Sequence, residues 1–154
     1  MIIFESTLRD LLIQANVGVD KRVFLARAPQ KPAAEQQVPY IVFFMVGPLP
    51  VMTQLGPLNQ IERDYQVSIF HTAQTTALAI ADTLRMYLDG MRGTFENVRL
   101  GHIFYTTQTL TYEEDTRLFH VIQEYRIMFS FLESAVATSS PNRSNQKEYQ
   151  NARR

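Results

Sequence analysis

Ile61-Glu62-Arg63-Asp64-Tyr65-Gln66-Val67-Ser68-Ile69-Phe70-His71 alternates residue by residue, and then the period of the sequence changes. Ile61, Arg63, Tyr65, Val67 and Ile69 share one side of an extended chain, and Glu62, Asp64, Gln66 and Ser68 share the other. That predicts a half-buried strand with one wet face. Directly afterwards Ala77, Ile80, Ala81, Leu84, Leu88 and Met91 recur at helical spacing. Thr72 or Thr75 is placed to cap this helix and Gly90 to stop it.

Working outward, Val98 to Tyr112 favours β residues and Glu113-Glu114-Asp115-Thr116 reads as a turn. Arg117 to Leu132 then alternates, with Phe119, Val121, Tyr125, Ile127, Phe129 and Phe131 on one side, so the two segments predict a long hairpin. Upstream, Pro39 to Val46 is β-branched and aromatic, too short and continuous for an amphipathic helix, and predicts a buried strand. Phe4, Leu8, Leu11, Leu12 and Ala15 predict a short helix capped by Ser6 and ended by Asn16 to Gly18. Between them lie a possible short strand, Arg22 to Leu25, and an extended loop from Ala28 to Pro39 with three prolines.

The expected fold class is therefore α+β. It has a single, mostly antiparallel sheet of about four main strands with two helices packed on one face, plus an extended C-terminal tail. Residues 1–132 form the domain. Residues 133–154, rich in Ser, Asn, Gln and Arg with no apolar periodicity, form a polar, basic arm that cannot build a core of its own.

Composition narrows the function classes. Among 154 residues, fifteen basic side chains balance fifteen acidic ones, so no global field draws the chain to nucleic acid or an anionic membrane. With no cysteine there are no disulfides, thiolate chemistry or cysteine metal sites, which fits synthesis in a reducing cytoplasm. The first residues lack a signal-peptide pattern, and the longest apolar run, Tyr40 to Val46, is far short of the ~20 residues a membrane helix needs. A soluble protein is expected.

Catalytic and metal motifs are also missing from the sequence. If Tyr112 faces Arg117 across the turn, His120 lies opposite Thr109, seven residues and roughly 23 Å from His102, too far to share a metal. Glu113-Glu114-Asp115 lacks the alternating ligands and central glycine of a calcium loop. No nucleophile elbow, phosphate loop or dinucleotide fingerprint occurs. The expectation is a non-enzyme without cofactor or metal.

Two features go beyond a plain folded domain. Gly47 to Asn59 holds three prolines and two glycines, yet also Leu49, Val51, Met52, Leu55 and Leu58. Exposed together, these five make an apolar patch of the kind that marks protein contacts. The end of the chain carries Arg143, Lys147, Arg153 and Arg154 against a lone Glu148 in the last fourteen residues, a composition suited to docking on an acidic neighbour or on nucleic acid.

Three blocks carry a resemblance to the tail completion family of long-tailed phages, which includes tail-to-head joining proteins and is close in role to tail terminators. Arg22-Val23-Phe24, Ala28-Pro29-Gln30 and Val38-Pro39-Tyr40-Ile41-Val42 resemble its short strand, Ala-Pro-Gln loop and strand start. Asp64 to Phe70 followed by Ala77 to Gly90 is similar to its alternating strand and Ala/Leu-rich helix. Tyr112-Glu113-Glu114-Asp115-Thr116-Arg117-Leu118-Phe119 is similar to its turn and final strand. Together the blocks span roughly residues 5 to 131. The resemblance implies a virion protein without an active site, assembled in the host cytoplasm. It also implies a ring, usually hexameric, that caps the tail tube and meets the head-tail connector, with the wet strand face and sheet edges as subunit contacts. Another neck component, such as a head-completion or connector adaptor protein, is the alternative. A small nucleic-acid-binding module is a third reading that the neutral body disfavours.

Overall fold

The structure, a computed structural model, describes residues 3–30, 37–46 and 60–132. In chain order it contains α1 (Ile3–Gln14), β1 (Val23–Leu25), β2 (Tyr40–Val46), β3 (Gln60–His71), α2 (Gln74–Leu88), β4 (Gly93–Phe95), β5 (Val98–Glu113) and β6 (Leu118–Phe131). The strands make one sheet in the order β1-β2-β3-β6-β5-β4.

This corrects the expected four-stranded antiparallel sheet: the sheet has six strands and is mixed, because β1 runs parallel to β2. The two extra strands are short, Val23-Phe24-Leu25 at one edge and Gly93-Thr94-Phe95 at the other. Three residues span barely one period of alternation, so β1 shows in the sequence only as the possible short strand Arg22 to Leu25, without its pairing, and β4 leaves no clear mark. β4 is held by a tight turn in which Phe95 pairs with Val98.

The central alternation survives intact. Ile69 pairs with Ile41 and Val121, and Tyr65 with Met45 and Tyr125. The odd-numbered side chains of β2, β3 and β6 thereby face the helices as one layer. Into it α1 inserts Phe4, Leu8, Leu11 and Leu12, and α2 inserts Ala77, Ile80, Ala81, Leu84 and Leu88. Phe4 stacks on Phe129 with ring centroids 3.7 Å apart. Each fully buried Leu or Phe contributes about 1.5–3 kcal/mol.

One fully buried member of this layer is polar. Gln123 is fully buried; its Nε2 donates to Ala81 O of α2 and to Gln108 Oε1 of β5, both at 2.9 Å, and its Oε1 accepts from Tyr125 OH at 2.9 Å. Burial pushes the Tyr125 phenol far above its ordinary value, so it acts only as a neutral donor.

Local details also differ from the sequence expectation. α1 already runs from Ile3, so Ser6 lies inside its first turn and is not its cap. Ala73 is the N-cap of α2 and makes no side-chain capping bond, so neither Thr72 nor Thr75 caps it. Instead His71 Nδ1 accepts the Ala73 N–H at 2.9 Å, which places the proton of a neutral ring on Nε2. Gly90 does end the helix, at φ +79 in the left-handed region.

The hairpin register is shifted too. Glu113 pairs with Leu118 and Tyr112 with Phe119, so His120 lies opposite Thr111 and not Thr109. Two bulges interrupt β5, at Gly101 and Thr106. At Gly101 a Cβ would sit 3.2 Å from Met128 O, a close approach of two backbones that only glycine meets comfortably.

Candidate interaction surfaces

Helices cover one face of the sheet. The other face is built from the even-numbered residues of β2, β3 and β6, and it divides into a polar and an aromatic half.

In the polar half Arg126 of β6 reaches across to β3. Its Nε lies 3.0 Å from Asp64 Oδ1 and 3.2 Å from Glu62 Oε1. Beside it, exposed Phe104 packs on the ring of His102, 3.9 Å between centroids. The expected wet face of β3 is found only here: Glu62 is exposed, while Ser68 keeps 2% of its surface.

The aromatic half explains why. Tyr40, Phe70 and His120 are register partners on β2, β3 and β6, and their rings stack in a row, 4.8 Å from Tyr40 to Phe70 and 4.1 Å from Phe70 to His120. Phe24 of β1 meets Tyr40 edge-on at 6.4 Å. With Val42, Leu118 and Ala28 these rings form a small second core under the loop that follows β1. Between that loop and the sheet runs a groove of about 350 Å³, floored by Tyr40, Val42, Phe44, Gln66, Ser68 and Phe70 and bordered by Arg27, Glu113 and His120.

A serine, a histidine and a glutamate thus meet in one groove. His120 Nδ1 lies 3.4 Å from Glu113 Oε1, but His120 Nε2 is buried with no hydrogen-bond partner among the described residues, and Ser68 Oγ accepts instead from Gln66 Nε2 at 3.1 Å. Among the described residues the serine therefore has no hydrogen-bonded base to take its proton, and the geometry is not that of an activated nucleophile. Burial holds the imidazole below its ordinary pKa against the opposing pull of Glu113, so the ring is neutral near pH 7. The Glu113 carboxylate also accepts from Thr116 Oγ1 at 3.0 Å, which closes the turn. Among the described residues no group of three metal-ligating side chains gathers.

At the β1 edge, Arg9 of α1 donates from Nε to Val23 O at 2.9 Å and from Nη2 to Lys21 O at 3.2 Å. Val23 N–H donates to Lys21 O, and Leu25 O accepts from Arg27 N–H. The β5 edge is different. β4 covers only Val98 to Leu100, and the end of α2 supplies Gly90 N–H to Ile103 O at 2.8 Å and Asp89 Oδ1 to Tyr105 N–H at 3.0 Å. Ile103 and Tyr105 thus turn their backbone groups away from β6. The bulge at Thr106 advances the alternation by one, so Gln108, Leu110 and Tyr112 do the same beyond it. Among the described residues nothing pairs with these three.

The apolar residues Leu49, Val51, Met52, Leu55 and Leu58 and the basic residues Arg143, Lys147, Arg153 and Arg154 lie outside the described residues. Sequence reasoning misses Gln123, the stacked row and the open β5 edge. Only the row leaves a sequence signal, since Tyr40, Phe70 and His120 each stand near an end of a β segment.

Comparison with known proteins follows the same span. A family model described as Tail completion protein gp17 matches residues 3–130. A solved chain from the "Virion of native gene transfer agent (GTA) particle" superposes with a TM-score of 0.57 at 18% identity, over 80% of this chain and 94% of that one. A second solved chain, 16% identical, covers 83% of this chain and 89% of its own with a TM-score of 0.48. The first likeness concerns the fold, and the second adds nothing to it. No curated protein matches the sequence significantly.

Proposed function

The chain belongs to the tail completion protein gp17 family, a family of the virion tail, and from that premise we propose that it is a non-enzymatic ring subunit that ends the tail tube and joins it to the head connector. The observation that carries this reading is the extent of the family match, residues 3–130, which takes in both helices and all but the last residue of the final strand.

A ring works through geometry. A head-to-tail contact repeated around a closing rotation makes a closed assembly, and a closed assembly grips a tube end through several copies at once, so modest contacts sum to a durable seal. The usual hexamer of such rings is the stoichiometry we adopt. Its partners on this reading are further copies of itself, the tail tube protein and the connector. The apolar patch of Leu49, Val51, Met52, Leu55 and Leu58 faces the tube or an adjacent subunit, and the arm bearing Arg143, Lys147, Arg153 and Arg154 faces an acidic neighbour.

Electron microscopy of particles made without this protein tests the role. Overlong or unjoined tails are expected. Empty or leaking heads on normal tails would assign the protein to head completion instead. Replacing Leu49, Val51 and Met52 by Ser in one variant is expected to abolish tail closure with the fold intact by circular dichroism; normal tails would remove the patch from the interface.

A further inference from the structure

The open backbone of β5 ends in charge. The edge itself reads Thr107-Gln108-Thr109-Leu110-Thr111-Tyr112 and carries no charged residue, whereas Glu113, Glu114 and Asp115 follow directly, with Arg117 the lone cation of the turn. Such edges are normally blunted by lysine, proline or a covering element. None of these protects residues 107–112 among the described residues, although the bulge at Thr106 and the end of α2 close the edge just before them.

We infer that this edge takes up residues 134–140 of a neighbouring copy as an added strand. The inference rests on the homomeric ring proposed above. Residues 134–140, Ser-Ala-Val-Ala-Thr-Ser-Ser, carry no charge, and Pro141 ends any strand they form. Laid parallel to β5, they bring the following basic residues, Arg143 and Lys147, over the acidic turn.

Covalent reach makes the exchange intermolecular. Leu132 N–H is fixed to Asn97 O at 2.8 Å, at the start of β5. From there Thr107 lies about 30 Å further along the strand. Ser134 follows Leu132 by only about 7 Å of extended chain. Residues 134–140 therefore cannot run alongside residues 107–112 of their own chain, and the edge of an adjacent copy is the one they can meet. The largely engaged β1 edge, where Val23 N–H, Val23 O and Leu25 O already have partners, disfavours the other route, in which sheets would join β5 to β1.

The absence of native cysteine makes the test clean. Full-length chains carry Thr109→Cys combined in turn with Ala135→Cys, Ala137→Cys or Ser139→Cys, and are oxidised in assembled particles and in the purified protein. One pair should give a disulfide ladder extending past the dimer on a non-reducing gel. Yield should fall several-fold when Glu113→Lys and Glu114→Lys are added. A bond within single chains, dimers from Thr109→Cys alone, or rings that form with no cross-link in all three pairs would overturn the strand addition and leave the ring standing. Particles in which the wild-type chain is present only as single copies would overturn the ring, and this inference with it.

Discussion

At the β1 edge of the sheet, Val23 N–H, Val23 O and Leu25 O are all engaged inside the chain, the carbonyl of Val23 by the guanidinium of Arg9. At the β5 edge, protection stops at Tyr105, and the next three outward-facing residues have no described partner. The two edges belong to one sheet but are finished by different means. A three-residue strand under a helix can be largely closed by one long cation and two local backbone bonds, whereas β5 overshoots both β4 and the end of α2. Asymmetric edges suit a head-to-tail assembly, because identical sticky edges would favour closed two-fold pairs.

The largest effect is expected from loosening the open edge at its root. Gln123→Ala removes the donor to Ala81 O and Gln108 and the acceptor for Tyr125 OH, which leaves a buried phenol unpaired. A loss of about 2–4 kcal/mol is expected in urea unfolding, with Gln108→Ala costing clearly less. A smaller effect should make the two edges alike: Arg9→Ala exposes Val23 O and Lys21 O, costs about 1–2 kcal/mol, and adds self-association visible by analytical ultracentrifugation. An unchanged sedimentation profile would mean that Arg9 does not guard that edge.

The smallest effect concerns the row that joins the edges. His120 has its pKa depressed by burial, so protons bind more tightly to the unfolded chain. Stability from this group is complete above about 6.5, the ordinary histidine value, and is lost as pH falls below it. Denaturation curves between about pH 7 and pH 5 should show that decline, and His120→Gln should flatten it. Glu113→Gln should depress the His120 pKa further, readable by NMR titration, because it removes the carboxylate that opposes desolvation.

How far the sequence can be read follows from the length of its patterns. β3 and α2 are legible because 12 and 15 residues carry several periods each. Of the edge strands, β1 shows only as a possible short strand and β4 not at all, and with their pairing goes the mixed character of the sheet. The hairpin register differs from the expected one by two positions, since Glu113 and Leu118 look like turn and strand residues equally well, and only the positive φ of Arg117 shows where the turn closes. Gln123 escapes notice because a polar residue on an apolar face breaks the pattern, and its three hydrogen bonds come from elements 15 and 42 residues away and from its own strand. The apolar and basic interface candidates come from composition alone.

The two bulges of β5 act like compensating frameshifts in a text read two letters at a time. Val98 and Leu100 face the helices before the first, Ile103 and Tyr105 after it, and Gln108 and Leu110 after the second, so even and odd positions exchange roles twice within one strand. Loss of Thr106 alone would only remove the bulge, since Tyr105 and Gln108 would still face the helices with one residue between them, whereas loss of a paired residue such as Thr109 would turn the rest of the strand inside out, moving Leu110 to the outer face and Thr111 toward the helices. Length variation in this strand is therefore expected at the two bulge positions or in the turn at residues 114–117, where no phase has to be kept.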